Sequence, residues 1–253
     1  MKSSNPALGG KTFEQYQPGI QSAGAMTING TINKTLILLA FVVIPAVYVW
    51  DMFYAIGIDP EGGLQNASLT YWLYGSLFGG LIFAFITIFK KTWAPFTAPI
   101  YAVLEGILLG AISAMLEAQF SGIVFQAISL TIGTSFAMLV AYRTGLIKVT
   151  EKFKMVVVSA AMGIFVVYIL SFVLNLFGVN VSFLYSGGLF GILFSLFVVV
   201  IAALFLALDF DLIDKGVAHG APKYMEWYGA FALIVTLVWL YVSFLRLLSI
   251  LRQ

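Results

Sequence analysis

Asp209, Asp211 and Asp214 stand where a long apolar run gives way to Lys215. An acid at the edge of a bilayer is costly unless it is solvated, paired or used. Asp209 and Asp211 are two residues apart, so on a helix they point roughly 200° from each other and cannot share one pore. Asp211 precedes Lys215 by the four residues of a helical ion pair. It and Asp214 read as solvated or paired acids at a helix end. Asp209 lies deeper, between Leu208 and Phe210, and is the better candidate for a gate or cation site. Partial desolvation penalises its charged form, which would make it a proton-sensitive switch.

Glu105 is the second candidate. It lies inside the third apolar run, in Tyr101-Ala-Val-Leu-Glu105-Gly106, roughly 12 Å past the expected helix start. It must face other helices or water, either as an ion or proton ligand or as a neutral hydrogen-bonded acid. Ala102, Gly106, Gly110 and Ser113 form a small-residue stripe on that helix. Gly75 with Gly79 and Gly187 with Gly191 repeat the spacing. Small residues allow close helix approach in a membrane, so the stripe would let Glu105 sit near another helix. Asp51 reads as an interfacial acid or an entrance ligand. Glu226 opens the seventh run, where the helix dipole favours an anion, and could join the acid cluster.

The elements that position these residues are membrane helices. The chain has 253 residues, 61% hydrophobic and 9% charged, against about 25% charged in soluble domains. Its mean hydropathy is +1.02. Seven apolar runs fall near 35–57, 70–89, 97–117, 122–142, 155–177, 186–208 and 226–248. Each suits a helix crossing a ~30 Å hydrocarbon core, and none has the ten-residue alternation of an outer-membrane barrel. Pro45 should kink the first helix. The expected architecture is an all-α, seven-transmembrane-helix bundle over 35–253, preceded by a polar N-terminal tail, 1–34, that is flexible or a short surface helix. No cleavable signal peptide is expected.

Lys and Arg collect in the tail (Lys2, Lys11, Lys34) and in the second, fourth and sixth connections (Lys90, Lys91, Arg143, Lys148, Lys152, Lys154, Lys215, Lys223). They are missing from the first, third and fifth. The positive-inside rule therefore puts the N-terminus in the cytoplasm. Arg246 and Arg252 stand against the rule at the far end of run seven, which is expected to span or, failing that, to tuck into the bundle. The Asn-X-Ser/Thr triplets at Asn29, Asn33, Asn66 and Asn180 read as chance matches.

The composition narrows the chemistry. With no cysteine and only His219, in a polar loop, thiolate chemistry is excluded and the usual zinc site is not expected. No basic stripe suggests nucleic acid. An intramembrane aspartyl protease needs two carboxylates sharing a site, and run seven offers only Glu226 at its start. An enzyme is not expected, nor a cofactor.

The residues from Ser4 to Arg252 resemble the Bax inhibitor-1, or transmembrane Bax inhibitor motif, family, and more closely its bacterial YccA-like branch. The resemblance is carried by Met26-Thr-Ile-Asn-Gly30-Thr31 at the entry to helix one, Glu105-Gly106-Ile-Leu-Leu-Gly110 in helix three, Asp209-Phe-Asp-Leu-Ile213 closing helix six, and Leu240-Tyr-Val-Ser-Phe-Leu-Arg246 in helix seven. It implies a seven-helix bundle with helix seven near its centre, a bacterial inner-membrane location, and a pH-tuned calcium leak. It also implies that Asp209 is one half of a gate closed in calcium-conducting members by a second aspartate on helix seven. That second position falls at Ser243 here, so the two-aspartate latch is incomplete; Glu105, Asp211 or Glu226 are the acids left to substitute. The branch is also associated with a membrane-bound AAA protease. Two readings follow: a cation leak, with Ca²⁺ near Asp209 or Glu105 as the transported ion, or a non-conducting membrane regulator that binds such a protease or another membrane complex.

Overall fold

Among the described residues, seven α-helices form where the apolar runs predict them. The computed structural model describes residues 24–56, 67–178 and 188–253. The helices are α1 (Ile28–Ile56), α2 (Ala67–Phe89), α3 (Ala94–Gln119), α4 (Ile123–Arg143), α5 (Glu151–Leu176), α6 (Leu189–Ala218) and α7 (Met225–Leu251), with one 3₁₀ turn at Lys91–Trp93 before α3. All seven are long and apolar enough to cross a membrane. Much of their large apolar surface faces outward, as at Phe78, Phe89, Phe125 and Phe172. In water such a surface would drive aggregation; in a bilayer it meets acyl chains. The first 23 residues, with Lys2 and Lys11, and Asn66, Asn180 and Gly187 lie outside the described residues.

The architecture is organised around α7, which touches α1, α3, α4 and α6. α2 packs chiefly on α3, and α5 chiefly on α6. One core cluster joins α1, α3 and α7 through Leu38, Ala102 and Ile234. A second joins α4, α6 and α7 through Ala127, Leu206 and Leu240. α7 spans the whole bundle. Its first turn meets the basic end, where Lys91 lies over the Tyr228 ring at 5.1 Å. Its last residues meet the opposite end, where Arg252 donates to the Ser121 carbonyl (2.8 Å) and the Gln126 side chain (2.9 Å).

The small-residue stripe of α3 works as a close-packing face. A Cβ on Gly106 would collide with the Val42 carbonyl, and one on Gly110 with the Ala46 carbonyl. The two contacts bracket Pro45, which stays inside a continuous α1. Ser113 continues the face with a 2.7 Å hydrogen bond to the Tyr241 hydroxyl of α7. Gly79 abuts Leu104 of α3, whereas Gly75 has nothing near it.

Two boundaries differ from the sequence expectation in ways that matter for the site. α1 starts at Ile28, so residues 28–34 belong to a membrane helix rather than to a polar tail. The cause is a cap: the Thr27 hydroxyl accepts the Gly30 N–H at 2.9 Å. α6 continues ten residues past Leu208, through all three aspartates, to Ala218. Its polar end is held by the Asp211–Lys215 pair and stops where Gly220 takes a positive φ of 64°.

Candidate functional site

The candidate acids divide by helix face at the basic end of the bundle. Asp209 points inward. It is 8% exposed, and its Oδ2 is fully buried with no hydrogen-bond partner. Thr236 of α7 is the hydroxyl that faces it, and Tyr228, also of α7, lies within reach of its charge. Asp209 stands nine residues before the end of α6, roughly 13 Å along the helix. An ionised carboxylate with an unmet oxygen costs several kcal/mol in such surroundings unless a proton, a cation or water meets it.

Asp211 and Asp214 point away from that interior and are paired. Asp211 accepts from Lys215 at 2.7 Å and lies 3.3 Å from Lys154 of α5. Asp214 accepts from the Tyr142 hydroxyl at 2.9 Å and stands 3.8 Å from Arg143 of α4. The two acids tie the basic ends of α4 and α5 to α6.

Ser243 is buried but does not meet Asp209. It lies seven residues beyond Thr236, roughly 10 Å further along α7, and its hydroxyl donates to the Trp239 carbonyl at 2.7 Å. The residue opposite the acid is therefore Thr236 rather than Ser243, because α6 and α7 run antiparallel and the early half of α7 packs on the late half of α6.

Glu105 is half-buried on a different flank. It is next to Tyr101 on its own helix and faces Gly80 of α2. α7 touches both α3 and α6, with Glu105 and Asp209 on the two helices it joins. Beside Glu105, a groove of about 450 Å³ between α2 and α3 is lined by Tyr71, Trp72, Gly75, Ser76, Leu104 and Ile107. It contains neither acid. Asp51 is exposed near the far end of α1. Arg246 sits toward the end of α7 opposite the lysines, bonded to the Tyr168 hydroxyl of α5 and 5.7 Å from the Phe194 ring of α6.

Glu226 is the acid whose role the sequence least reveals. It is 1% exposed and fully engaged. Its Oε1 accepts both the N–H and the hydroxyl of Thr27 at 3.0 Å, and its Oε2 pairs with Lys34 of α1. Gly30 packs directly over the carboxylate, and a Cβ there would strike it. Glu226 thus clamps the start of α1 to the start of α7 instead of joining the aspartates. Glu117, unlike Glu226, was not singled out by the sequence. It accepts the Gly122 and Val124 N–H groups and so caps α4. An acid just before a glycine and a new apolar run was the available signal, since free N–H groups at a helix start attract anions.

Among the described residues, no three His, Cys, Asp or Glu side chains converge in a way that could hold a metal ion. A path for cations through this bundle would therefore rest on single carboxylates with hydroxyls and backbone carbonyls. No curated protein and no solved structure gives a match to the chain. A family model described as Bax inhibitor 1 like matches residues 5–253. The bundle of seven membrane-length helices agrees with that match, and the chain belongs to the Bax inhibitor 1-like family of membrane proteins.

Proposed function

We propose that the protein is a pH-sensitive cation leak, conducting Ca²⁺ across a bacterial inner membrane with its N-terminus in the cytoplasm. The observation that carries this reading is the buried Oδ2 of Asp209, left without a hydrogen-bond partner. A structural acid is normally satisfied where it is buried, as Glu226 is. An acid with an open oxygen, inside a membrane helix and beside a hydroxyl, suits a group that exchanges protons or meets passing cations. Asp209 is the gate and Thr236 its neighbour across the α6–α7 seam. Glu105 is a secondary acid on the α2–α3 flank, and Ser243 lies further along α7 from the gate. Purified protein in liposomes holding a calcium dye tests the reading, with flux followed from pH 8 to pH 6. Protein-dependent flux is expected, with a pH profile that changes in Asp209→Asn. No flux at any pH overturns the reading.

A second reading is favoured by one specific observation: the residue opposite Asp209 is a threonine, so the site lacks a second carboxylate. The protein would then be a non-conducting regulator of a membrane-bound AAA protease or another membrane complex. Deleting residues 2–23 should change the set of co-purifying proteins. An unaltered set counts against it.

A further inference from the structure

Residues 24–27 cross the basic end of the bundle as a short strap. Ala25 and Pro222 form an antiparallel bridge. The Met26 N–H donates to the Ala221 carbonyl (2.7 Å), and the Lys223 N–H donates to the Gly24 carbonyl (2.9 Å). The strap is thereby stitched to the connection between α6 and α7, and Thr27 is tied to Glu226. One side chain points inward from it. Met26 is 4% exposed and packs against Gly216 of α6 and Gly229 of α7. Ile213 of α6 and Thr31 of α1 close on the same Gly229.

The register makes this more than a packing detail. Asp209, Ile213 and Gly216 are spaced i, i+4 and i+7, so they share one face of α6. Along that face Asp209 is deepest, Ile213 is one turn nearer the basic end, and Gly216 lies under Met26. Met26, Ile213 and Thr31 form a layer between Asp209 and the basic-side solution. Two glycines make the layer tight, since a Cβ on Gly216 would press on Met26 and one on Gly229 would press on Ile213 and Thr31.

We propose that the strap is a built-in gate cover: Met26 plugs the basic-side mouth above Asp209, and the Glu226–Lys34–Thr27 clamp holds the plug in place. Release of the clamp frees residues 24–27 from the α6–α7 connection, withdraws Met26 and opens Asp209 to the basic side. The effect on flux rests on the reading of Asp209 as a gate; the covering of the mouth does not.

The chain contains no cysteine, so a single one can report access. In full-length protein carrying Ile213→Cys, labelling by a water-soluble thiol reagent should be slow. Met26→Ala removes the plug and Glu226→Gln loosens the clamp. Each should speed labelling by about ten-fold or more, as expected when a buried contact layer is cut away. Labelling no faster than in the Ile213→Cys parent in either variant, with melting curves showing that both fold, would overturn the proposal. A lock tests it from the other side. Ala25→Cys with Pro222→Cys, without the reporter, should suppress calcium flux when oxidised and restore it on reduction; measurable flux that is indifferent to oxidation overturns the cover as a gate. If labelling responds but no form conducts, the cover stands and the channel reading falls.

Discussion

Glu226 and Asp209 are two buried carboxylates near the same end of one bundle, and they are treated in opposite ways. Glu226, at 1% exposure, has both oxygens occupied by Thr27 and Lys34. Asp209, at 8%, keeps one oxygen with nothing to accept from. On the proposed reading, what marks Asp209 out is the state of its hydrogen bonds rather than its burial. A satisfied acid joins helices, and its removal should be felt as lost stability. An unsatisfied acid is a standing cost, and its removal should be felt as changed function.

The largest effect should come from breaking the satisfied acid. Glu226→Ala leaves the Lys34 ammonium and the Thr27 donors facing a gap, and loss of one partner from a buried pair costs about 3–5 kcal/mol. Lys34 keeps some solvent contact, so the lower end of that range is expected, read as a clear fall in melting temperature in detergent. Unchanged melting would erase the contrast with Asp209. Gly30→Ala comes next. Its Cβ would press into the Glu226 carboxylate, and overpacking of this kind costs about 1–3 kcal/mol. The same loss should not appear in a Glu226→Gly background, where the space is open; a double-mutant cycle measures the coupling.

Asp209→Asn should reverse the sign. The substitution keeps the shape, removes the charge and leaves the stability equal or higher by about 1 kcal/mol at most, read as an unchanged or raised melting temperature. Calcium flux in liposomes should change in the same variant. A melting loss as large as that of Glu226→Ala would mean that Asp209 is a structural acid whose partner is satisfied in the membrane.

The sequence showed the seven helices, the α3 glycine face and the Asp211–Lys215 pair clearly, because these depend on hydropathy and on spacing along one helix. It also separated Asp209 from its neighbours, since helical angle alone puts Asp209 and Asp211 on different faces. The clamp was not legible. Glu226 and Lys34 are 192 residues apart, and only the packing of α1 on α7 brings them together. The start of α1 was misplaced because Thr27-Ile-Asn-Gly30-Thr31 is polar. That stretch is helical through a cap and through burial of Thr31 at 1% exposure, which hydropathy does not register. The same limit applies opposite Asp209. Thr236 rather than Ser243 faces the acid because the antiparallel α6–α7 register decides which turn of α7 lies at its level.

The smallest effect should come from the third kind of acid on the same helix. Asp211 has two cationic neighbours, Lys215 and Lys154, and by its number of partners looks as well engaged as Glu226. Its lysines, however, are 47% and 31% exposed in their side chains, so water screens both contacts and replaces them readily. Exposed pairs contribute about 0–1 kcal/mol, and Asp211→Asn should lower stability by about 0.5 kcal/mol. The loss should shrink further in high salt, because such pairs are screened within a Debye length. Melting curves of the variant and the parent protein at low and high salt check both statements. A large, salt-insensitive loss would place Asp211 with Glu226 as a clamp and leave Asp209 as the single exception among the acids of α6.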